Sequence, residues 1–166
     1  YCYGVSMAPD GGRLAEIING LDNSFISGPD SVGLETLNKD EAVAAFHTHE
    51  HEGLCHTVWT FHTPFIAGIC NCDRSDCLAM RTTVTHAIPV MFRAEYVGKV
   101  LPEECNGCRE CMRVCQFGAI TYSPSIKKAV VDQRWCYGCG VCRSACKRNA
   151  IRLEERTRVP AAAALW

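Results

Sequence analysis

The run Cys105-Asn106-Gly107-Cys108-Arg109-Glu110-Cys111-Met112-Arg113-Val114-Cys115 returns 31 residues later as Cys136-Tyr137-Gly138-Cys139-Gly140-Val141-Cys142-Arg143-Ser144-Ala145-Cys146. Thiolates at i, i+3, i+6 and i+10, given twice, are the ligand pattern of iron–sulfur cubanes: a compact loop brings three sulfurs together and a fourth comes from a distance. In two-cluster folds the distal cysteine of each run crosses to the other cluster. The expected sets are therefore Cys105, Cys108, Cys111 and Cys146 for one 4Fe-4S cluster, and Cys136, Cys139, Cys142 and Cys115 for the other. Both runs close alike, in Gly118-Ala119-Ile120 and Asn149-Ala150-Ile151, so the repeat extends beyond the ligands.

Disulfides and zinc ribbons use cysteine too, but not at this spacing. A zinc site pairs one C-x-x-C with a second pair a dozen or more residues away, whereas a tight triple plus one suits a cube. With 13 cysteines in 166 residues, an oxidising compartment would favour disulfides and a reducing one metal ligation. No secretory leader pattern opens the sequence and no apolar run reaches the length of a membrane span. The expected setting is a reducing cytoplasm, in keeping with oxygen-sensitive clusters of anaerobes. The start at Tyr1-Cys2-Tyr3, without Met, suggests a processed or shortened chain.

Charge divides the chain. Residues 1–102 carry 6 Lys and Arg against 12 Asp and Glu, a net of −6, whereas residues 103–166 carry 11 against 6, a net of +5. Each oxidised cubane with its four thiolates adds about −2, so part of the basic excess offsets internal charge. The remainder suits an acidic redox partner or a larger oxidoreductase complex, docked on a face of Arg109, Arg113, Lys127, Lys128, Arg143, Lys147 and Arg148. No recognition motif accompanies this charge, which argues against nucleic acid.

Periodicity outlines the elements. A short helix is expected over residues 10–20, and a clearer one over 39–52, capped by Asn38 with Glu41 three residues on and stopped near Gly53. Its inward face would be Ala42, Ala45, Phe46 and His49. Leu54 to Phe61 reads as a strand, Leu78 to about Thr83 as a helix, and Glu95 to Leu101 and Ala129 to Val131 as equivalent strands before the two ligand runs. Trp59, Phe61 and Phe65 are expected to pack the β-element against the cluster region.

Residues 95–156 resemble a bacterial-type dicluster ferredoxin. The resemblance implies an α+β fold in which two βαβ units are related by a pseudo-twofold, with two 4Fe-4S clusters and single-electron transfer. The sequence departs from that family where Pro usually follows the fourth cysteine, since Gln116 and Lys147 stand there. Upstream, Asp40-Glu41-Ala42-Val43, Glu52-Gly53-Leu54-Cys55-His56, Ile69-Cys70-Asn71-Cys72 and Cys77 resemble a little-characterised extension, with a C-N-C box, that precedes dicluster modules in anaerobic microbes. The expected organisation is a small α/β metal-binding extension over 1–94, a dicluster domain over 95–158 and a tail over 159–166.

Cys70, Cys72 and Cys77 place three soft ligands within eight residues and predict a further centre, either a third 4Fe-4S cluster or zinc, with free buried cysteines as the remaining alternative. Its fourth ligand is expected to be Cys2 or His56, with Cys55 a further candidate. His47, His49, His51, His56 and His62 crowd nearby. His47 and His51 could chelate at i, i+4, although Thr48 stands where a metal-dependent hydrolase motif requires Glu. Three functions follow. The first is an electron carrier or electron-transfer subunit without catalytic residues. The second is an oxidoreductase subunit whose N-terminal metal centre meets a substrate, and the third a docking module built on structural zinc.

Overall fold

The computed structural model describes residues 3–5, 37–59 and 68–166, the first three by backbone alone. The helix expected over 10–20, Cys2, His62, Phe61 and Phe65 lie outside the described residues.

The first described helix, α1 (Lys39–His51), forms where its caps dictate. Asn38 Oδ1 accepts from the Asp40 and Glu41 N–H groups, both at 3.0 Å, and Glu41 Oε2 accepts from Asn38 N–H at 2.8 Å. This reciprocal pair satisfies donors that the helix leaves open. Gly53, at φ +87°, ends the helix: its N–H donates to Glu50 O and that of Leu54 to His49 O. A left-handed residue after the last turn closes the orphan carbonyls in this way. Ala42, Ala45, Phe46 and His49 are half-buried, and no residue of the helix is fully buried.

Three strands follow one another across a small antiparallel sheet in the order β1 (Tyr3–Val5), β3 (Gly68–Cys72), β2 (Cys55–Trp59). The register pairs Cys55 with Cys72, His56 with Asn71 and Thr57 with Cys70, while Tyr3 pairs with Asn71 on the opposite edge. Because side chains alternate along a strand, Cys55, Cys70 and Cys72 share one face and His56 and Asn71 the other. Trp59, expected to pack inward, ends β2 at 39% exposure. Helix α2 (Leu78–Thr85) then presents Met80 and Thr83 inward.

The second half runs β4 (Tyr96–Val100), α3 (Glu110–Arg113), β5 (Ile120–Ser123), β6 (Lys128–Val131), α4 (Val141–Ser144) and β7 (Ile151–Glu155). β4 pairs antiparallel with β7, and β5 with β6. The result is a small α+β unit of short antiparallel sheets, compatible with a ferredoxin-like module. Segment 159–166, expected as a tail, folds back after a 3-10 turn (Arg156–Arg158) and buries Val159 and Ala162 against Val97.

The two halves share a core. Cys55, Cys72, Cys77 and Met80 pack with Phe117, Tyr137 and Val141, and the Phe117 and Tyr137 rings stack at 4.2 Å. Gln116 fastens the halves, its Nε2 donating to Gly53 O and its Oε1 accepting from Arg74 N–H, both at 2.9 Å. Ser144 Oγ donates to Glu50. That bond foremost, opposed by burial and helped by Arg143, holds the Glu50 carboxyl below its ordinary range.

Candidate iron–sulfur centres

Each cysteine run is a loop that climbs into a one-turn helix, and the backbone takes the left-handed region at matching positions. Gly107 and Gly138, Arg109 and Gly140, and Gly118 and Asn149 have φ between +51° and +83°, each pair 31 residues apart. Glycine is required at the first pair. A Cβ at Gly107 would lie 2.3 Å from Lys127 O, and one at Gly138 2.1 Å from Tyr96 O. Arg109 bears a side chain in this strained region, and its guanidinium lies 3.9 Å from the Tyr122 ring centroid, a favourable cation–π placement.

Two cavities result. Cys105, Cys108, Cys111 and Cys146 line the first, with about 330 Å³ of empty space, alongside Val100, Ala129, Ala150 and Ile151. Cys115, Cys136, Cys139 and Cys142 line the second, with about 380 Å³, alongside Phe117, Ile120, Val131, Tyr137 and Leu153. Backbone donors reach the sulfurs: Ala119 N–H to Cys115 Sγ and Ala150 N–H to Cys146 Sγ at 3.3 Å each, Gly98 N–H to Cys136 Sγ at 3.2 Å, and Gly107 N–H to Cys105 Sγ at 3.4 Å. Such donors favour sulfur in its anionic form.

The thiols, left to themselves, resist that charge. Burial, then the sulfurs of Cys146, Cys105 and Cys108, pushes Cys111 up to about 11. Burial, then Cys139, Cys136 and Cys115, raises Cys142 as well. Cys111 and Cys142, so desolvated, stay protonated at neutral pH unless a cationic core compensates them. Apolar walls, four convergent sulfurs and N–H donors aimed at them fit an iron–sulfur cube. Bound there, such a group would supply one-electron chemistry.

The surroundings of the two cavities differ. Cys108 is exposed, and Arg109 and Arg148 line the first cavity. Lys128 Nζ bonds Cys105 O, and Lys127 lies beside Gly107. Among the described residues no Lys or Arg lines the second cavity, whose cysteines are all buried or half-buried. There Cys55 donates to Cys139; this bond foremost holds Cys139 down at about 7 and raises Cys55. Arg143, one of the cations expected on the docking face, is exposed, and its charge helps lower the Glu50 carboxyl.

At the N-terminal site, Cys72 and Cys77 are buried in the shared core together with Cys55, and Cys70 packs against them. His56 stands on the other face of the sheet, with Nδ1 2.5 Å from Asn71 Oδ1 and its ring edge-on to Phe46. Cys2 lies outside the described residues. Among the described residues, no three Cys, His, Asp or Glu side chains converge as a single-ion site. His47 and His51 are both exposed, and His47 Nδ1 lies 3.7 Å from Glu50 Oε2.

Sequence reasoning passed over three residues that matter here. They are Cys55 as a donor to Cys139, Gln116 as the fastener, and Arg156, which bonds the Cys136 carbonyl at 2.9 Å. The Gln in place of the usual Pro was the one visible signal, since a polar side chain there has something to bond.

The family described as 4Fe-4S dicluster domain matches residues 104–150. Similar curated proteins include indolepyruvate oxidoreductase subunit IorA of Thermococcus kodakarensis, 39% identical over 52 residues, which are 31% of this chain and 8% of that protein. The uncharacterized ferredoxin-like protein YdhY of Escherichia coli is 41% identical over 46 residues, 26% of this chain and 22% of its own length. A subunit of the ion-translocating oxidoreductase complex of Methanosarcina acetivorans is 39% identical over 70 residues, 40% of this chain and 26% of its own. The chain thus spans a minor part of each relative, and the likeness is that of a module. The match and these relatives support a ferredoxin-like 4Fe-4S module and an iron–sulfur electron-transfer role. No helix among the described residues is long and apolar enough to cross a membrane.

Proposed function

We propose that the chain is an electron-transfer unit of a larger oxidoreductase complex in a reducing cytoplasm. It would carry two 4Fe-4S clusters in a pseudo-twofold (βαβ)₂ module over residues 95–158, preceded by an extension over 1–94. The observation that carries this reading is the grouping of the cysteines, because each cavity takes three sulfurs from one run and the distal sulfur from the other. Crossed ligation follows. Electrons reach an acidic redox partner across the first cavity's rim, where Cys108 is exposed and Arg109, Lys127, Lys128 and Arg148 gather. The names of relatives that belong to oxidoreductases support a partner of this kind.

Cys70, Cys72 and Cys77 hold a third centre in the same reading. The packing of half-buried Cys70 against buried Cys72 and Cys77 supports it, with Cys2 proposed as the fourth ligand. A cube suits these residues better than zinc, whose four ligands must converge on one ion. Metal analysis with Mössbauer spectroscopy tests the whole. About twelve irons without zinc supports three cubes, about eight with one zinc makes the extension a zinc-built docking module, and about four overturns the dicluster reading.

A further inference from the structure

Arg156 is fully buried, with 0% of its surface exposed. Its Nε donates to Ala94 O at 2.7 Å, and its Nη2 to Tyr96 O at 3.1 Å and Cys136 O at 2.9 Å. All three acceptors are neutral carbonyls. Among the described residues Arg156 has no carboxylate partner, and Nη1 is buried without any hydrogen-bond partner. A second guanidinium, that of Arg93, lies 4.6 Å from the centroid of the Tyr137 ring and acts on Arg156 as a like charge. Its Nε is also buried and unpartnered.

A buried guanidinium without a counter-ion costs several kcal/mol, and a second cation beside it adds to the cost. An anion must therefore belong to this place. Among the described residues the source is the Cys136 sulfur and the group it would share with Cys139, Cys142 and Cys115, where four thiolates on an oxidised cube carry about −2. The 31-residue repeat maps Arg156 onto Ser125, which is exposed and uncharged. The first cavity has the exposed Arg109 and Arg148 beside Glu110 at its rim, and half-buried Lys128 on Cys105 O, but no cation as fully buried as Arg156.

We infer that Arg156 is the built-in counter-cation of the centre on the Cys136 loop, a positioning residue that also holds that centre's reduction potential up. The inference rests on the reading that this loop binds a 4Fe-4S cluster. When that centre takes one electron from a one-electron donor, its negative charge grows by one, so a desolvated cation nearby favours the reduced form.

The test is a dithionite titration of the cluster-loaded full chain, followed by electron paramagnetic resonance, for the parent, Arg156→Gln and Arg156→Lys. In Arg156→Gln the second centre's reduction equilibrium should shift at least about tenfold toward the oxidised form, a potential about 59 mV lower. The first centre should move less than about twofold, and Arg156→Lys should keep the second centre within about threefold of the parent, because its charge is retained. Equal shifts in both variants, or a first-centre shift as large as the second's, would overturn the inference. Should Arg156→Gln fail to retain the second centre, Arg156→Lys decides: retention at near-parent potential supports a role of charge, and loss in both makes Arg156 a purely structural clamp. Iron content of about four per parent chain, below the eight or more that two cubes require, would identify failure of the underlying dicluster reading, which the inference does not survive.

Discussion

The two cysteine-lined cavities are built from one repeated sequence and end in opposite environments. The first opens at Cys108 and is rimmed by Arg109 and Arg148. The second is backed by the N-terminal sheet through Cys55, closed by the stacked Phe117 and Tyr137, and served by the buried Arg156. Local chemistry is common to both, down to the Ala119 and Ala150 N–H donors at 3.3 Å from their sulfurs. What differs is what the rest of the chain packs against each loop. If both cavities hold clusters as proposed, that packing makes the first the outer centre and the second the inner one, shielded by residues of the N-terminal half.

The largest test of this contrast removes the crossing cysteines. Cys146→Ala should abolish the centre in the first cavity and leave that of the Cys136 loop, while Cys115→Ala should do the reverse, each lowering iron by about four atoms per chain. Loss of the Cys136-loop centre in Cys146→Ala would break the crossed assignment.

Next in size is the fastener. Gln116→Pro removes two side-chain bonds between the halves, at about 1 kcal/mol each. The variant should unfold at lower denaturant by about 2 kcal/mol, and on exposure to air the second centre should decay faster while the first is unchanged. Equal acceleration at both centres would mean that the extension shields neither in particular.

The rim makes a smaller claim. Arg148→Glu should slow electron exchange with an acidic one-electron protein about tenfold at low salt, and the difference should shrink at physiological ionic strength. Arg81→Glu, the same charge change on an exposed residue of α2, serves as the control. Equal slowing in both would assign the effect to net charge and not to the rim.

The smallest effect is expected at Arg109, whose repeat partner is Gly140. Arg109→Gly relieves about 1 kcal/mol of left-handed strain and gives up a cation–π contact of about the same size. Thermal denaturation should therefore shift little, whereas Gly138→Ala, blocked by Tyr96 O, should unfold far more readily.

The sequence by itself determined the ligand loops, because cluster ligation is a local matter of spacing: three sulfurs within seven residues and glycines where the backbone must turn left-handed. It likewise determined α1, whose capping box and closing Gly53 lie within a few residues of the helix ends they satisfy. Other features depended on contacts between residues far apart in the chain. Alternation along the paired strands set His56 apart from Cys70 and Cys72, and the fold-back of 159–166 buried Val159 where a tail was expected. Arg156 reads in the sequence as one more surface cation after a strand, and only the convergence of the Ala94, Tyr96 and Cys136 carbonyls on its guanidinium buries it. Burial and charge pairing are properties of distant segments meeting, and no local pattern records which segments those are.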